Sequence, residues 1–133
     1  MAFLLDTNAW IVYLKLAQSP IRSRLENLAP SDVLLCSVVK AELLHGAQKY
    51  GNRERRLRLL AETFAPYASL PFDDAAAAAY ANIRHKLETT GNIAGPNDLM
   101  IAAIAQANSV ILVTHNTAEF GRIPSLQIED WQT

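Results

Sequence analysis

The sequence predicts an α/β fold with three layers in the order α/β/α and a mainly parallel central sheet. Two largely apolar runs, residues 2–5 and 109–113, are typical of strands that are buried on both faces, as parallel strands are. A third apolar run, residues 33–36, reads as a short strand. Helical patterns separate the three runs, and this alternation favours parallel pairing of the strands through crossover connections.

Two short helices are predicted between the first and the second strand in the chain. The first covers residues 9–17, with Asn8 or Thr7 as its N-terminal cap. The second begins at Ser19 and Pro20, because a serine cap followed by proline at the first helical position is a common helix start. Both helices carry apolar residues at helical spacing, which indicates that each buries one face.

Ser37 is the predicted cap of a longer helix that ends near Tyr50, and the small residue Gly46 within it indicates close packing against a neighbour. The other expected elements, in chain order, are a basic helix over 53–64, a short strand over 69–72, an alanine-rich helix from Asp73 or Asp74 to about Glu88, a helix from Gly95 to Ala107, a short turn over 117–120 and a last edge strand over 126–129. Pro71 restricts the strand over 69–72 to an edge of the sheet.

The composition is that of one ordinary globular domain, and we expect residues 1–133 to form it. Half of the residues are apolar, 19% are charged and the formal net charge is −1. Affinity for a polyanion must therefore come from a local basic patch or from a bound metal. The sequence shows no signal peptide and no membrane span, and the single cysteine, Cys36, fits a reducing, cytoplasmic compartment.

Three acidic residues stand where a parallel sheet places its ligands. Asp6 ends the first strand, Glu42 lies one turn into an apolar helix, and Asp98 lies near the start of another. Because the carboxyl ends of parallel strands and the amino ends of helices line one crevice, we expect the three acids to meet there. Each acid also has a simpler interpretation: Asp6 as a helix cap, Asp98 as a charge favoured by its helix dipole, and Glu42 as a solvated side chain.

Carboxylates that converge need a counter-charge. Two full charges about 4 Å apart repel by roughly 4 kcal/mol at an effective dielectric near 20. The histidines are scattered: His45 and His85 are expected on helix surfaces, and His115 either touches a phosphate or only shapes a loop. An all-oxygen site suits Mg²⁺ or Mn²⁺ better than zinc. The acids therefore predict a divalent-metal site that cuts a nucleic-acid phosphodiester.

Four segments of the chain resemble the signature blocks of PIN-domain ribonucleases, and more closely those of VapC-type toxins from prokaryotic toxin–antitoxin pairs. The segments are LLDTN at 4–8, SVVKAELLHGA at 37–47, PNDLMIAA at 96–103 and LVTHNTAEF at 112–120, followed by a closing IEDW at 128–131. The resemblance implies a Mg²⁺- or Mn²⁺-dependent endoribonuclease whose metal-binding catalytic acids are Asp6, Glu42 and Asp98. It also implies that the hydroxyls of Thr7 and Thr114 orient these acids.

The chain departs from many members of this family at a fourth acidic position, where it has Asn116. An amide can bind a metal or its water through oxygen, but it adds no charge. Asn116 is therefore a candidate catalytic residue, and Glu119, one turn later, is a candidate substitute for the missing acid. In the alternative interpretation Asn116 caps a loop and Glu119 is a solvated charge.

The resemblance also implies partners: an RNA substrate, usually transfer or ribosomal RNA, a second copy of the chain in a homodimer, and a small VapB-like antitoxin whose tail occupies the active-site groove. Candidate dimer contacts are the alanine-rich helix and the helix that carries Trp10 and Tyr13. The basic helix supplies the candidate RNA contacts, Arg53, Arg55 and Arg56. A charged stripe on an exposed helix is, however, more often a solvated face.

Three other functions fit parts of this pattern. A PIN fold used only for binding would have lost its chemistry through Asn116, but the three intact acids argue against it. A PIN-type nuclease that acts on structured DNA is disfavoured because the short chain has no added arch or clamp segment. A phosphatase with Asp6 as nucleophile would need a carboxylate two residues later, where this chain has Asn8.

Overall fold

The central sheet of the protein contains five parallel strands in the described part of the chain, residues 1–132 of a computed structural model. The strands are β1 (Phe3–Leu5), β2 (Val33–Cys36), β3 (Ala68–Leu70), β4 (Ile111–Val113) and β5 (Ile128–Glu129). Their order across the sheet is β3-β2-β1-β4-β5, and every neighbouring pair is parallel. This confirms the predicted α/β/α fold, including the short strands at its two edges.

Helices follow the strands and flank the sheet. They are α1 (Thr7–Lys15), α2 (Pro20–Glu26), α3 (Ser37–Lys49), α4 (Arg53–Phe64), α5 (Asp74–Thr89), α6 (Pro96–Ala107) and the single turn α7 (Thr117–Phe120), with a 3-10 turn at Pro30–Asp32. Ser19 caps α2 and Asp73 caps α5 through their side chains, as predicted. The helix bounds agree with the predicted ones to within a few residues.

Three local predictions are wrong. The first helix begins earlier than expected because Asp6, rather than Asn8 or Thr7, is its cap: Asp6 Oδ1 accepts the Ala9 N–H at 2.9 Å. Ser37 is the first residue of α3 rather than its cap, and Cys36 occupies the cap position without a side-chain bond. A Cβ at Gly46 would meet no atom within 4 Å, because this residue lines open clefts rather than a packed neighbour.

The core surrounds the two central strands and α6. Leu4 and Leu5 of β1 and Leu112 of β4 are fully buried, as are the apolar residues of α6 over 101–105. Trp10 is also fully buried, with its ring 5.4 Å from that of Tyr67, so it is a core residue and not a surface contact. No helix within residues 1–132 is long and apolar enough to span a membrane.

Candidate active site

Two buried polar side chains mark the carboxyl edge of the central strands. Asp6 follows β1 and is 5% exposed, and Thr114 follows β4 and is 1% exposed. The Asp6 amide donates to the Val113 carbonyl at 3.0 Å, which continues the pairing of β1 and β4 as far as this edge. Because the two strands run in parallel, their last residues emerge side by side, and the Thr114 side chain lies close enough to the Asp6 carboxylate to lower its pKa.

Glu42 and Asp98 reach the same place from helices. Glu42 is in the second turn of α3, which begins directly where β2 ends, and Asp98 is in the first turn of α6. Both acids line one cleft together with Asp6, with a volume of about 360 Å³. The structure therefore brings together the three acids that the sequence singled out.

The Glu42 carboxylate is held at both of its oxygens. Thr7 Oγ1 donates to Oε1 at 2.6 Å, and Asn97 Nδ2 donates to Oε2 at 3.3 Å. The sequence had predicted an orienting role for Thr7, but it gave Asn97 no role. In the sequence, the only indication of a role for Asn97 is its position directly before Asp98 at the amino end of a helix. In the structure, its amide lines the same cleft as Asp98.

The pKa values of Asp6 and Asp98 are raised by burial and by neighbouring carboxylates. Burial raises the pKa of Asp6 above its ordinary value and the charge of Glu42 raises it further, while the hydrogen bonds from Thr114 and the Ala9 amide act in the opposite direction. The pKa of Asp98 rises to about 6, through burial and then through the charges of Glu119, Glu42 and Asp6. The carboxylates of Asp6, Glu42, Asp98 and Glu119 therefore lie close enough for their charges to interact.

Glu119 of α7 belongs to this cluster. Among the neighbouring charges, that of Glu119 contributes most to the raised pKa of Asp98, after the effect of burial. Asn116 Nδ2 donates to Glu119 Oε2 at 2.7 Å, and the Gly95 amide donates to Oε1 at 3.3 Å. Asn116 therefore turns its amide nitrogen toward Glu119, while its own backbone N–H is bound by Thr114 Oγ1 at 3.0 Å.

Of the remaining candidate residues, some lie beside the acid cleft and others lie away from it. His115 stands at the edge beside Thr114, and its Nδ1 lies 3.0 Å from Asp130 Oδ2, which ties the ring to the segment after β5. Arg56 lines a neighbouring groove together with Lys15 and Lys49. The other two arginines proposed as RNA contacts, Arg53 and Arg55, are exposed on α4 and line none of these clefts.

The donor set fits a hard divalent cation. Within residues 1–132 no three acidic, histidine or cysteine side chains already form a compact metal-binding group. Mg²⁺ does not need one, because it keeps several waters and binds through one or two carboxylates and the phosphates of its substrate. The oxygens available in the cleft are carboxylates, amides and hydroxyls, which Mg²⁺ and Mn²⁺ accept.

A parallel sheet with an acidic cleft at the carboxyl edge of its central strands defines an α/β nuclease domain. The sequence model of the PIN domain family matches residues 3–126, which is most of the chain. The chain belongs to the PIN domain family.

Within that family the similarity is to VapC ribonucleases. The chain is 37% identical over 131 residues to the tRNA(fMet)-specific endonuclease VapC of Shigella flexneri, and the match covers 98% of each chain. Its structure matches the VapC-containing complex "DNA bound VapBC" of Salmonella typhimurium with a TM-score of 0.93, at 37% identity and 98% coverage of both chains. VapBC2 of Rickettsia felis, bound to a promoter DNA fragment, matches with a TM-score of 0.92 at 33% identity, over 98% of this chain and 99% of that one. These matches confirm the resemblance that the sequence motifs indicated, and the chain is a ribonuclease of the VapC type.

The raised pKa of Asp98 predicts how stability depends on pH in the absence of metal. A carboxyl whose pKa is higher in the folded than in the unfolded protein stabilises the fold below its ordinary pKa of 3.8, and this contribution is lost as pH rises through about 6. Asp98→Asn removes the charge, so in EDTA at pH 7.5 we expect a melting temperature a few degrees above that of the unmodified chain. The difference should disappear near pH 4.

The matched control is Glu62→Gln, which removes an exposed carboxylate on α4 that lies outside the cleft. It should leave the melting temperature unchanged at both pH values. If Asp98→Asn is no more stable than the unmodified chain at pH 7.5, the acids do not destabilise one another as described.

Proposed function

We propose that the protein is the toxin of a toxin–antitoxin pair, an endoribonuclease that hydrolyses RNA phosphodiesters with Mg²⁺ or Mn²⁺ as its cofactor. The observation that carries the proposal is the convergence of Asp6, Glu42 and Asp98 on one cleft beside Glu119; burial, and then the charges of its three acidic neighbours, raise the pKa of Asp98 to about 6. Such a cluster needs a cation, and the relatives of the chain are named ribonucleases. Transfer RNA is the proposed substrate class, since it is named for the Shigella flexneri relative.

The residues that would hold the cation are Asp6, Asp98 and Glu42. A divalent metal at these acids would lower the pKa of a bound water and neutralise negative charge on the scissile phosphate. Water attacks the phosphorus in this mechanism, and no serine or cysteine among residues 1–132 lines the acid cleft. Hydrolysis of this kind leaves a 3′-hydroxyl and a 5′-phosphate, because the ribose 2′-hydroxyl takes no part.

The other residues of the site keep these acids in place. Thr7 and Asn97 fix both oxygens of Glu42, and Thr114 holds Asp6. Pre-oriented ligands of this kind reduce the reorganisation that metal and substrate binding require. The protein thereby restricts the motion of side chains that would otherwise separate by mutual repulsion.

We infer that Glu119 supplies the fourth acid and that Asn116 positions it. The inference rests on the 2.7 Å bond from the Asn116 amide to Glu119 and on the closeness of Glu119 to Asp98, whose pKa its charge raises. The metal site would then keep four negative charges although position 116 is neutral. Asn116 acts in this arrangement through Glu119 and not as a ligand.

Asp6→Asn tests the metal-dependent activity. Asparagine is as good a helix cap as aspartate, so the Ala9 N–H keeps its acceptor and the fold should be retained. We expect RNA cleavage to fall below detection, while circular dichroism stays unchanged. The control Asp32→Asn, outside the cleft, should cleave normally in Mg²⁺ and stop in EDTA. Full activity of Asp6→Asn, or full activity of the unmodified chain in EDTA, would contradict the proposal.

Glu119→Gln tests the fourth acid. Glutamine keeps the shape and still accepts the Asn116 amide, but it removes one charge from the cluster. We expect the Mg²⁺ concentration for half-maximal cleavage to rise by about 10- to 100-fold, the usual cost of a lost supporting group at a metal site. Glu62→Gln on α4 is the matched control and should not change this concentration. An unchanged Mg²⁺ requirement in Glu119→Gln would remove Glu119 from the metal site.

The chain is proposed to work as a single cytoplasmic domain that forms a homodimer. Trp10 is buried and unavailable for dimer contacts, whereas the α5 side of the molecule exposes small apolar residues and, just beyond the helix, Ile93 with 86% of its surface. The proposed antitoxin follows from the solved relatives, which are VapBC complexes. A groove beside the acid cleft suits an acidic amphipathic segment, since it has an apolar floor and the cationic rim Lys15, Lys49 and Arg56.

Sedimentation tests both assemblies. Alone at micromolar concentration, the chain should sediment with twice the mass of one copy, because burial of the exposed apolar residues near α5 stabilises the dimer. With its cognate antitoxin it should form a heavier complex in which RNA cleavage is inhibited. A monomer would contradict the dimer, and unchanged sedimentation and cleavage with the antitoxin would contradict the partner.

A further inference from the structure

The side chains on one face of α3 change from apolar to charged along the helix. Val38 and Ala41 are apolar, Glu42 carries the acid, His45 carries an imidazole and Lys49 an ammonium group. Residues three or four apart share a helix face and lie about 5–6 Å from each other along the axis. This face therefore runs from an apolar end, past the acids, to a cationic end.

A second cleft opens at the apolar end of this face, between α3 and α6. Its volume is about 310 Å³, and besides Glu42 its lining residues are Ser37, Val38, Ala41, His45, Asn97 and Met100. Three of its residues, Glu42, His45 and Asn97, also line the acid cleft. The two clefts are therefore adjacent, and the hydrogen-bonded pair of Asn97 and Glu42, at 3.3 Å, lies between them.

We propose that this second cleft binds one unpaired base of the RNA, next to the phosphodiester that is cut, with the base stacked on His45. We call it the base cleft. The proposal deepens and rests on the ribonuclease function proposed above. The sequence predicted a surface role for His45, and the ring is indeed exposed, but it forms a wall shared by two clefts.

The chemistry of the base cleft selects a base over other parts of a nucleic acid. No lysine or arginine lines it within the described residues, and Glu42 at its end repels phosphate. Val38, Ala41 and Met100 instead offer apolar surface, on which the face of a base can lie. Single-stranded bases are recognised in this way, by stacking on rings that include histidine and by polar groups at the base edge, here Ser37 and Asn97.

Lys49 indicates the direction of the RNA strand. It lines the acid cleft two turns beyond Glu42, on the side opposite to the base cleft. With a base in the base cleft and the scissile phosphate at the acids, the next phosphate reaches the ammonium group of Lys49. The RNA strand would then run along α3. Duplex RNA could not bind in this way, because its bases are stacked and none is free to enter the cleft.

The test uses an oligoribonucleotide that the unmodified chain cleaves, and two copies in which the base on one or the other side of the cut is replaced by an abasic ribose. We expect one abasic copy to raise KM about tenfold and to change kcat little. His45→Ala should raise KM about tenfold on the intact RNA but add nothing on that abasic copy, because the two changes remove the same contact. His45→Phe should restore KM, since a phenyl ring also stacks.

His85→Ala is the matched control, because His85 is an exposed histidine of α5 that lines neither cleft. It should behave as the unmodified chain. The proposal would be overturned if the abasic ribose raised KM equally in His45→Ala and in the unmodified chain. It would also be overturned if His45→Phe failed to restore KM. If His45→Ala no longer bound the antitoxin but kept an unchanged KM for RNA, the proposal would also be overturned. His45 would then contact a protein rather than a base.

Failure of the proposed function can be told apart from failure of the base cleft. Fluorescence anisotropy measures the affinity of the same RNAs for two proteins: the Asp6→Asn variant and the double variant that carries both Asp6→Asn and His45→Ala. These affinities do not depend on cleavage. If the unmodified chain cuts no RNA, the function is wrong, and an abasic ribose is then placed at each position of a bound oligoribonucleotide in turn. The base cleft is refuted if no position weakens binding only where His45 is present.

Discussion

Mutual repulsion of carboxylates is the constraint on which the site depends. Burial, and then the charges of Glu119, Glu42 and Asp6, together raise the pKa of Asp98 to about 6. Water would screen these charges on an open surface, but burial of Asp6 removes much of that screening. The protein holds the acids together with hydrogen bonds from Thr7, Asn97, Asn116 and the Gly95 amide, and the proposed cation would relieve the repulsion that remains.

The parallel sheet explains how four distant parts of the chain meet at one point. β1 and β4 are neighbours in the middle of the sheet, so Asp6 and Thr114 emerge together although they are far apart in sequence. β2, on the other side of β1, leads without a loop into α3 and so aims Glu42 at the same edge. Because each of these strands is buried in the core, a shift of any acid away from the site would move well-packed apolar residues.

Much of this arrangement could be predicted from the sequence, because buried parallel strands leave unbroken apolar runs and their ends indicate the ligand edge. The three acids were predicted in this way, whereas the role of Thr7 was implied by the resemblance to PIN-domain ribonucleases. Contacts between segments were not predictable: Asn97 acts on Glu42, 55 residues away, and nothing in the local pattern records that bond. Gly46 was misread for a related reason, since a small residue looks the same in sequence whether it packs closely or borders an open cleft.

Position 116 shows why a family pattern must be weighed against the contacts of the individual chain. An aspartate there would face Glu119 at the 2.7 Å that now separates Asn116 Nδ2 from Glu119 Oε2, and two ionised carboxylates at that distance repel strongly. The asparagine instead donates a hydrogen bond to the Glu119 carboxylate. On the proposal that Glu119 supplies the fourth acid, the neutral residue at 116 and the acid at 119 act together. The Asn116 side chain and the Gly95 amide both donate to the Glu119 carboxylate, which lies on α7 near Asp98.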